Sequence, residues 1–217
     1  YKSYRNGNNV LSVLKKISFE IKEKDFVTIV GPSGIGKSTL LNIIGTLDKP
    51  DSGSIEFDGL DLSKMNDTQL SNLRLNMIGF VFQFHHLIPE FNVIDNVIMP
   101  NLIAEKKPNY SFAKDLLDQV QIIDKLNSFP SQLSGGEKAR VAVARALMNN
   151  PKIILADEPT GNLDAENAER LIDLLLKIKK DFDQSIVLST HNKKLSNLGN
   201  KKFEITKNQF KIRDHIK

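Results

Sequence analysis

Three short apolar runs without polar alternation indicate buried strands. They cover residues 26–30, 153–156 and 186–188 and consist mainly of valine, isoleucine and leucine. Strands of a parallel sheet are covered on both faces and have runs of this kind. Between the second and third runs, apolar residues recur at spacings of three and four from Ala168 to Phe182. This spacing predicts a helix with one apolar stripe, and the order strand, helix, strand is typical of an α/β fold.

The beginning of the chain follows a different pattern. Ile17, Phe19 and Ile21 alternate with polar residues, and Ile55 and Phe57 repeat the alternation between two glycines. Alternation of this kind predicts antiparallel strands with one solvent-exposed face. We therefore expect an N-terminal antiparallel β subdomain beside the parallel-sheet core.

The middle of the chain contains helical stretches, and we interpret it as a helical subdomain inserted into the core. Prolines interrupt these stretches at three positions: Pro100, Pro108 and Pro130. The prediction is a single domain over the whole chain of 217 residues. Residues of about 1–88 and 151–217 form its sheet-containing core, and residues of about 89–150 form the helical subdomain.

Composition narrows the class of protein. Apolar residues make up 40% and charged residues 26% of the chain, which is ordinary for a globular protein. The absence of cysteine from the sequence excludes disulfide scaffolds, thiolate catalysis and cysteine-ligated zinc. No apolar run approaches the roughly 20 residues that span a bilayer, so we do not expect the chain to cross a membrane.

The charge is unevenly distributed. The chain carries 30 Lys and Arg against 26 Asp and Glu, a net charge of +4, whereas residues 193–217 alone carry eight basic and two acidic residues. This basic end is either a solvated tail or a segment that lies near anionic phospholipid. A nucleic-acid-binding protein usually carries its basic patch on the body of the fold, so no nucleic-acid partner is predicted.

A glycine-rich segment directly follows the first apolar run. It matches the pattern G-x-x-x-x-G-K-[ST] and consists of Gly31, Pro32, Ser33, Gly34, Ile35, Gly36, Lys37, Ser38 and Thr39. The apolar residues that follow predict a helix, so the segment lies between strand and helix, as a phosphate loop does. Its backbone N–H groups and the helix N-terminus suit an anion, Lys37 suits the β- and γ-phosphates, and Ser38 suits Mg²⁺. The alternative is a glycine-rich turn with a surface lysine, and the flanking elements favour nucleotide binding.

Two acidic residues end the second apolar run. Ligands of parallel α/β sheets bind at the carboxyl ends of the strands, where Asp157 and Glu158 are expected. Asp157 suits Mg²⁺, directly or through water. Glu158 suits the orientation and deprotonation of a water that attacks the γ-phosphate. The alternative is a strand-ending turn before Pro159, which the nearby phosphate loop makes the weaker hypothesis.

A second glycine-rich segment consists of Leu133, Ser134, Gly135, Gly136 and Glu137. Ser134 and Glu137 have the spacing of a capping box, and residues 139–147 have a helical pattern. A capped helix N-terminus is itself an anion site. Since the chain already has one phosphate loop, we expect this segment to act in trans, on the γ-phosphate of a nucleotide bound by another subunit.

Residues 133–137 match the signature of the ABC-type ATPases. With the phosphate loop and the acidic pair at their usual order and separation, the sequence resembles this family over essentially its whole length. The resemblance implies a P-loop NTPase fold of the RecA-like type and hydrolysis of ATP with Mg²⁺. It also implies a head-to-tail homodimer that encloses two ATP molecules.

The resemblance also implies roles for individual residues. Gln83 corresponds to the glutamine that contacts Mg²⁺ and the attacking water, which makes Ser38, Gln83 and Asp157 the expected metal site. His191 corresponds to the switch histidine at the γ-phosphate and joins Glu158 and Gln83 as a catalytic residue. Asp164 corresponds to the D-loop at the dimer interface, and Tyr4 to the aromatic residue that stacks on adenine.

Two positions depart from the family pattern. Lys138 and Ala139 follow the signature where the family commonly has two glutamines, and Asn192 follows the switch histidine where aspartate is usual. Neither departure removes a phosphate-contacting group, so we expect them to affect the closed dimer alone.

Residues 82–89 and the segment that follows resemble the ATPase subunits of lipoprotein-releasing (Lol) transporters. This resemblance implies two integral membrane permease partners, a lipoprotein as indirect substrate, and a peripheral location on the cytoplasmic face of the bacterial inner membrane. Macrolide-efflux and cell-division ATPases share most of these residues and remain the alternatives. His85 and His86 are either exposed histidines of a polar loop or part of the surface on which a permease helix docks.

Overall fold

The computed structural model describes residues 1–7, 9–182, 184–192, 195–206 and 210–214. The described residues form ten strands, six α-helices and four short 3₁₀ turns. The strands are β1 (Lys2–Asn6), β2 (Asn9–Leu14), β3 (Phe26–Val30), β4 (Glu56–Phe57), β5 (Leu60–Asp61), β6 (Ile78–Phe82), β7 (Ile153–Asp157), β8 (Ser185–Thr190), β9 (Lys201–Ile205) and β10 (Phe210–Asp214). The helices are α1 (Lys37–Ile44), α2 (Asp67–Met77), α3 (Val93–Ile103), α4 (Tyr110–Gln119), α5 (Gly135–Leu147) and α6 (Ala165–Phe182).

A six-stranded sheet forms the centre of the molecule, in the order β10-β9-β3-β8-β7-β6. All neighbouring strands are parallel except β9 and β10, which are antiparallel. Val27, Ile154 and Ile186 are completely buried in it. The three apolar runs in the sequence are thus β3, β7 and β8, and the prediction of a parallel α/β core is confirmed.

Helices cover both faces of this sheet. One apolar cluster joins α3, α4, α5 and α6 to one face, and a second joins α1 and α2 to the other. Successive residues of each central strand contribute to opposite clusters, because side chains alternate across a strand. Side chains on both faces of these strands are therefore buried, which explains why their sequences show no regular alternation of apolar and polar residues.

The N-terminal antiparallel part is a separate hairpin of β1 and β2, and β4 and β5 form a second small hairpin. The predicted strand over Ile17, Phe19 and Ile21 is absent from the described residues, which is a correction. These three side chains still pack against the core beside α1, while the polar residues between them are exposed. Lys16 turns the chain after β2 with a positive φ of 51°, and the segment then runs along the core without pairing to a strand.

The helical stretches between residues 89 and 150 are α3, α4 and α5. Pro100 does not interrupt them as predicted, because it lies inside α3. The helix ends only three residues later, so the missing proline N–H removes a single hydrogen bond near its end. Pro108 separates α3 from α4, and Pro130 begins a 3₁₀ turn. None of the described helices is both long and apolar enough to cross a bilayer.

The basic C-terminal segment is not a tail where the structure describes it. Residues 201–205 form β9, the neighbour of β3, and the side chain of Phe203 is completely buried. Lys201 pairs with the buried carboxylate of Asp25 at 2.7 Å. The lysines at positions 193, 194, 207 and 217 lie outside the described residues.

Candidate functional site

A cleft of about 400 Å³ opens where the parallel strands end. It is lined by Tyr4, Val13, Ser33, Gly34, Gly36, Lys37, Ser38, Thr39, Gln83, Glu158 and His191. All of these except Val13 were predicted site residues, and they come from five separate segments of the chain. The loops after β3, β6, β7 and β8 meet here because parallel strands present their carboxyl ends at one edge of the sheet.

The phosphate loop leaves the N-terminus of α1 open. Gly34 and Gly36 have positive φ values of 75° and 109°, a conformation that favours glycine. A Cβ on Gly36 would lie 2.6 Å from Cγ1 of Val13, so any side chain at position 36 would clash with that valine. Helix α1 starts at Lys37 with neither a side-chain cap nor an acidic residue in its first turn. Its backbone N–H groups are thus free of side-chain competitors for an anion.

The side chain of Lys37 is buried below the loop, with 5% of its surface exposed. Its Nζ donates to the carbonyl oxygens of Gly31 at 3.0 Å and Pro32 at 3.2 Å. The same Nζ lies 3.1 Å from Oε1 of Glu158. The cation is therefore held at the cleft by groups that a phosphate oxygen can join or replace.

Glu158 lies between two cationic or polar partners. Its Oε2 is 2.5 Å from Nδ1 of His191, on the side opposite the contact with Lys37. The residue itself has a positive φ of 45°, and its N–H donates to the hydroxyl of Ser189 at 3.0 Å. That hydroxyl in turn donates to Oδ1 of Asp157 at 2.6 Å. Ser189, a residue of buried strand β8 that sequence reasoning missed, thereby orients both acidic residues.

Gln83 joins the cleft to the segment after Glu158. A Cβ on Gly161 would lie 2.9 Å from the Gln83 side-chain nitrogen, so the glutamine packs directly on the Gly161 backbone. Asn162 Nδ2 donates to the Gln83 carbonyl at 3.1 Å. The residue that follows β6 and the residues that follow β7 are therefore in direct contact.

The oxygen-bearing residues here suit Mg²⁺. Ser38 and Gln83 line the cleft, and Asp157 ends β7 next to Glu158 without lining the cleft itself. Among the described residues, no group of three or more His, Cys, Asp or Glu side chains could hold a metal ion on its own. Mg²⁺ commonly takes one or two protein oxygens together with waters and substrate phosphates, so this sparse oxygen set fits it.

Tyr4 forms the far wall of the cleft from the hairpin of β1 and β2. Its hydroxyl donates to Oδ2 of Asp48 at 2.7 Å, and 42% of the residue remains exposed. Burial of the hydroxyl and its bond to Asp48 raise the pKa of Tyr4 above its ordinary value. An exposed aromatic ring next to the phosphate loop is suitable for stacking on a base.

The second glycine-rich segment caps α5, as its spacing predicts. Ser134 Oγ accepts from the Glu137 N–H at 3.3 Å, and Glu137 Oε2 accepts from the Ser134 N–H at 2.7 Å. That backbone hydrogen bond from Ser134 holds the pKa of Glu137 below its usual range. Leu133 is buried below the turn, whereas Ser134 and Gly135 are exposed.

These signature residues do not line the cleft of their own chain. They pack instead on the start of α6, where a Cβ on Gly136 would lie 2.6 Å from Oδ1 of Asn167. Asp164 fixes Asn167 by accepting from its N–H and from its Nδ2, both at 2.8 Å. The signature turn and the predicted dimer-interface aspartate thus form one surface, separate from the cleft.

The two adjacent histidines differ in environment. His85 is buried with Nε2 unpartnered, and its pKa is lowered by burial and by nearby Lys138 and Arg145. His86 is exposed. Arg145 of α5 donates to both of their carbonyl oxygens at 2.6 Å. The preceding Phe84 is 70% exposed, so this turn presents an aromatic side chain to solvent.

Known proteins resemble this chain in sequence over the segments that form the site. A family model described as ABC transporter matches residues 14–161, which include the phosphate loop, the signature segment and both acidic residues. The lipoprotein-releasing system ATP-binding protein LolD of Cytophaga hutchinsonii is 47% identical over 194 residues, which cover 88% of this chain and 89% of that protein. LolD of Bacteroides fragilis is 48% identical over 190 residues, covering 87% and 88% of the two chains.

Solved structures also resemble the chain. A dimeric post-hydrolysis state of the ATP-binding cassette MJ0796, bound to ADP and Pi, has a TM-score of 0.90 and 37% identity, covering 98% of this chain and 95% of that chain. A second dimeric structure of MJ0796, described as a bacterial ABC transporter cassette, has a TM-score of 0.89 and 38% identity over the same shares. By sequence, by fold and by the elements that surround the cleft, this chain belongs to the ABC transporter family as an ATPase domain with a P-loop NTPase fold.

Proposed function

We propose that the protein is the ATP-hydrolysing subunit of a bacterial ABC transporter that releases lipoproteins from the inner membrane to a periplasmic carrier. The relatives called lipoprotein-releasing system ATP-binding proteins support this substrate, since they are 47% and 48% identical over nearly 90% of the chain. These relatives favour lipoprotein release over macrolide efflux or a role in cell division. The observation that carries the catalytic part is the meeting of Lys37, Glu158 and His191 within hydrogen-bond distance in the cleft.

The chemistry assigned to the cleft is mainly positioning and electrostatics. The open N-terminus of α1 and the loop amides bind the phosphates, and Lys37 exchanges its contact with Glu158 for the β- and γ-phosphates. Glu158 then accepts a proton from a water aligned with the γ-phosphate, and His191 and Gln83 hold the charge and the water in place. Ser38, Asp157 and Gln83 would hold Mg²⁺, which would supply positive charge to the phosphates when bound. Tyr4 stacks on the adenine.

The active form in this proposal is a head-to-tail homodimer. Residues 133–137 lie away from the cleft of their own chain, and their exposed turn suits the γ-phosphate bound by a second copy. Asp164 lies on the same surface, as a residue at the interface should. The dimeric state of the two solved cassettes supports this arrangement.

Two membrane-spanning permease subunits complete the proposed complex, which places the protein peripherally on the cytoplasmic face of the inner membrane. The turn at residues 84–86 is the surface assigned to a permease helix. Phe84 is exposed there, and Arg145 holds the turn in place from the signature helix α5. A helix that docks on Phe84 would therefore contact an element that is directly linked to the signature turn.

Depletion of the protein in its native bacterium tests the substrate. We expect lipoproteins to accumulate in the inner membrane, and we expect the protein to co-purify with two integral membrane proteins. Normal lipoprotein release after depletion would overturn the assigned substrate. ATP hydrolysis by the purified complex, lost in Glu158→Gln, tests the enzymatic part separately.

A further inference from the structure

Tyr4 does not stand alone at the edge of the cleft but belongs to a partly buried polar network. Its hydroxyl donates to Oδ2 of Asp48 at 2.7 Å. The other oxygen of that carboxylate, Oδ1, accepts from Lys2 Nζ at 2.6 Å and from the Lys49 N–H at 2.7 Å. Both carboxylate oxygens are therefore engaged, and Oδ2 is the one that holds the tyrosine.

Lys2 completes the network on the strand that carries Tyr4. It is only 9% exposed, its Nζ also donates to the Lys49 carbonyl at 2.7 Å, and Nζ lies 5.1 Å from the centroid of the Tyr4 ring. This is the distance of a cation–π contact. The cation covers one face of the ring, and the residue still exposes 42% of its surface for a stacking partner.

The charges in the network support each other. The hydrogen bond to Asp48 raises the pKa of Lys2. Burial alone would raise the pKa of Asp48, but the hydrogen bonds from Lys2 and Tyr4 lower it overall. The pair is therefore ionised at neutral pH, and the acceptor for the Tyr4 hydroxyl is a carboxylate, which makes a stronger hydrogen bond than a neutral group.

Asp48 connects this network to the phosphate loop. It follows α1 closely, and its N–H donates to the carbonyl of Asn42, within that helix, at 3.2 Å. Helix α1 begins at Lys37, in the phosphate loop. One short helix thus bears the phosphate cradle at its N-terminus and, just beyond its C-terminus, the carboxylate that holds Tyr4.

We propose that Asp48 is a positioning residue for the nucleobase: it sets the Tyr4 ring at a fixed place relative to the phosphate loop, so that base and phosphates of one nucleotide are recognised together. The proposal deepens the assigned ATP-binding function and rests on it. Its chemical consequence is selective, because loss of Asp48 weakens recognition of the base and leaves recognition of the phosphates intact.

The alternative is that Asp48 merely fastens β1 to the rest of the protein. The chain offers a matched control for this, because Asp51 also fastens β1 without contacting Tyr4. Asp51 Oδ2 accepts from the Ser3 N–H at 2.7 Å, and the Asp51 N–H donates to the Tyr1 carbonyl at 2.9 Å. Asp51→Ala removes the bond from Ser3 and a 4.0 Å contact with Lys2 Nζ, and it leaves the bonds of Asp48 to Tyr4 and Lys2 in place.

The experiment compares two probes, Mg-ATP and inorganic tripolyphosphate with Mg²⁺, the second of which lacks a base. Binding of both to the full chain is measured by ligand-dependent thermal shift, which responds to weak ligands, and by calorimetry. We expect Tyr4→Ala and Asp48→Ala to weaken ATP binding about five- to tenfold, within the range for loss of one base–aromatic stack. Tripolyphosphate binding should change less than about twofold in both variants, and Asp51→Ala should change neither.

Three further variants protect the test against misfolding of Asp48→Ala, which removes the carboxylate to which Lys2 is hydrogen-bonded. Tyr4→Phe removes only the hydroxyl link, and we expect a smaller loss of ATP affinity in the same direction. Asp48→Asn retains a carbonyl that can accept from Tyr4 and should restore most of the affinity. The double variant Tyr4→Ala with Asp48→Ala should bind ATP no more weakly than Tyr4→Ala alone, because the two residues act as one unit.

Equal weakening of both probes by Asp48→Ala, or unchanged ATP affinity in Asp48→Ala and Tyr4→Phe, would overturn the positioning role. In either case ATP binding by the wild-type protein would still stand. Failure of the wild-type protein to bind ATP at all would instead overturn the proposed function itself.

Discussion

The phosphate loop and the signature turn are both glycine-rich helix starts, and both leave backbone N–H groups at a helix N-terminus. They differ in whether side chains of the same turn cap those groups. Helix α1 begins after Gly36 with no side-chain cap. Helix α5 begins after Ser134, where the Glu137 N–H donates to Ser134 Oγ and the Ser134 N–H donates to Glu137 Oε2. The first helix start is thus open to a ligand inside its own chain, whereas the second carries its own side-chain cap and lies outside that cleft.

This difference shows how one chain can hold two anion-binding turns without competition between them. An uncapped helix N-terminus keeps donors that need a partner, so the phosphate loop is incomplete without a nucleotide. A capping box makes a turn that is stable by itself and can be presented, preformed, to a second molecule. Asn167, held by Asp164, supports that preformed turn from below.

The largest expected effect comes from a variant that blocks ATP hydrolysis in the cleft and leaves the phosphate loop and the signature turn unchanged. Glu158→Gln removes the general base but keeps a side chain of the same shape, so we expect ATP turnover to fall at least ~100-fold while ATP still binds. The closed, ATP-bound dimer should accumulate, as measured by phosphate release and by size-exclusion chromatography with Mg-ATP. The control Glu56→Gln, at an exposed position of the small hairpin of β4 and β5, should leave turnover unchanged, and near-normal turnover in Glu158→Gln would reject its assigned role.

The second prediction concerns the side chain of Lys37 in the phosphate loop. Lys37→Ala deletes the buried ammonium group that faces the phosphates, and we expect ATP affinity to fall by about tenfold or more, the size of a hydrogen bond to a charged group. Calorimetry of ATP binding measures this. Lys49→Ala is the control, because Lys49 pairs with Asp67 on the exposed surface. Unchanged affinity in Lys37→Ala would contradict the role of the phosphate loop.

A matched pair of glycine substitutions distinguishes the turns directly. Gly36→Ala places a Cβ against Val13 at a φ of 109°, so we expect lower stability, by about 1–3 kcal/mol, and weaker ADP binding by a single chain. Gly136→Ala places its Cβ against Asn167 instead. We expect normal ADP binding and a loss of ATP-dependent dimerisation, measured by analytical ultracentrifugation.

Two outcomes for Gly136→Ala would contradict the different roles of the two turns. Weaker ADP binding in Gly136→Ala would mean that the signature turn affects the cleft of its own chain. Normal dimerisation in the same variant would mean that the turn is not part of the interface.

The smallest expected effect concerns the cap of α5. Hydrogen bonding from Ser134 lowers the folded-state pKa of Glu137 below its ordinary value of 4.5. A lowered folded-state pKa means that the cap stabilises the protein fully above the unfolded value and loses this contribution as the pH falls through the folded value. Thermal melting should show the wild type more stable than Glu137→Gln by up to about 1 kcal/mol at neutral pH. The difference should shrink below about pH 4.5, and a pH-independent difference would contradict the explanation.

Local sequence patterns predicted much of the core and of the site. The phosphate loop, the acidic end of β7 and the cap of α5 depend on interactions within a few residues, and the structure has each where its pattern lies. Helix α6 begins at Ala165, slightly before the predicted start of its apolar stripe, because Asp164 caps it from outside the stripe.

Elements that depend on a distant partner were harder to predict. The alternating apolar side chains of residues 17–21 pack against the core, but the segment is not a strand, since no strand within the described part of the chain pairs with it. Residues 201–205 look like part of a basic tail and are a strand, because β3 offers an edge on which their apolar residues are buried. Helix α2 was missed because only Leu70 and Leu73 of it are buried and no long apolar stripe marks it, although Asn66 and Gln69 form a capping box at its start.

Short-range chemistry was therefore readable in the linear chain: turns, caps, buried runs and the residue types that suit phosphate, water and a cation. The approach of Lys37 and His191 to Glu158, the support of both acidic residues by Ser189, and the hold of Asp48 on Tyr4 arise only in the folded molecule. These contacts join residues up to about 120 positions apart, as Lys37 and Glu158 are, and no periodicity or motif records them. The contacts around Glu158 follow from the register of the parallel strands, and the contact of Asp48 with Tyr4 follows from the packing of the N-terminal hairpin beside α1.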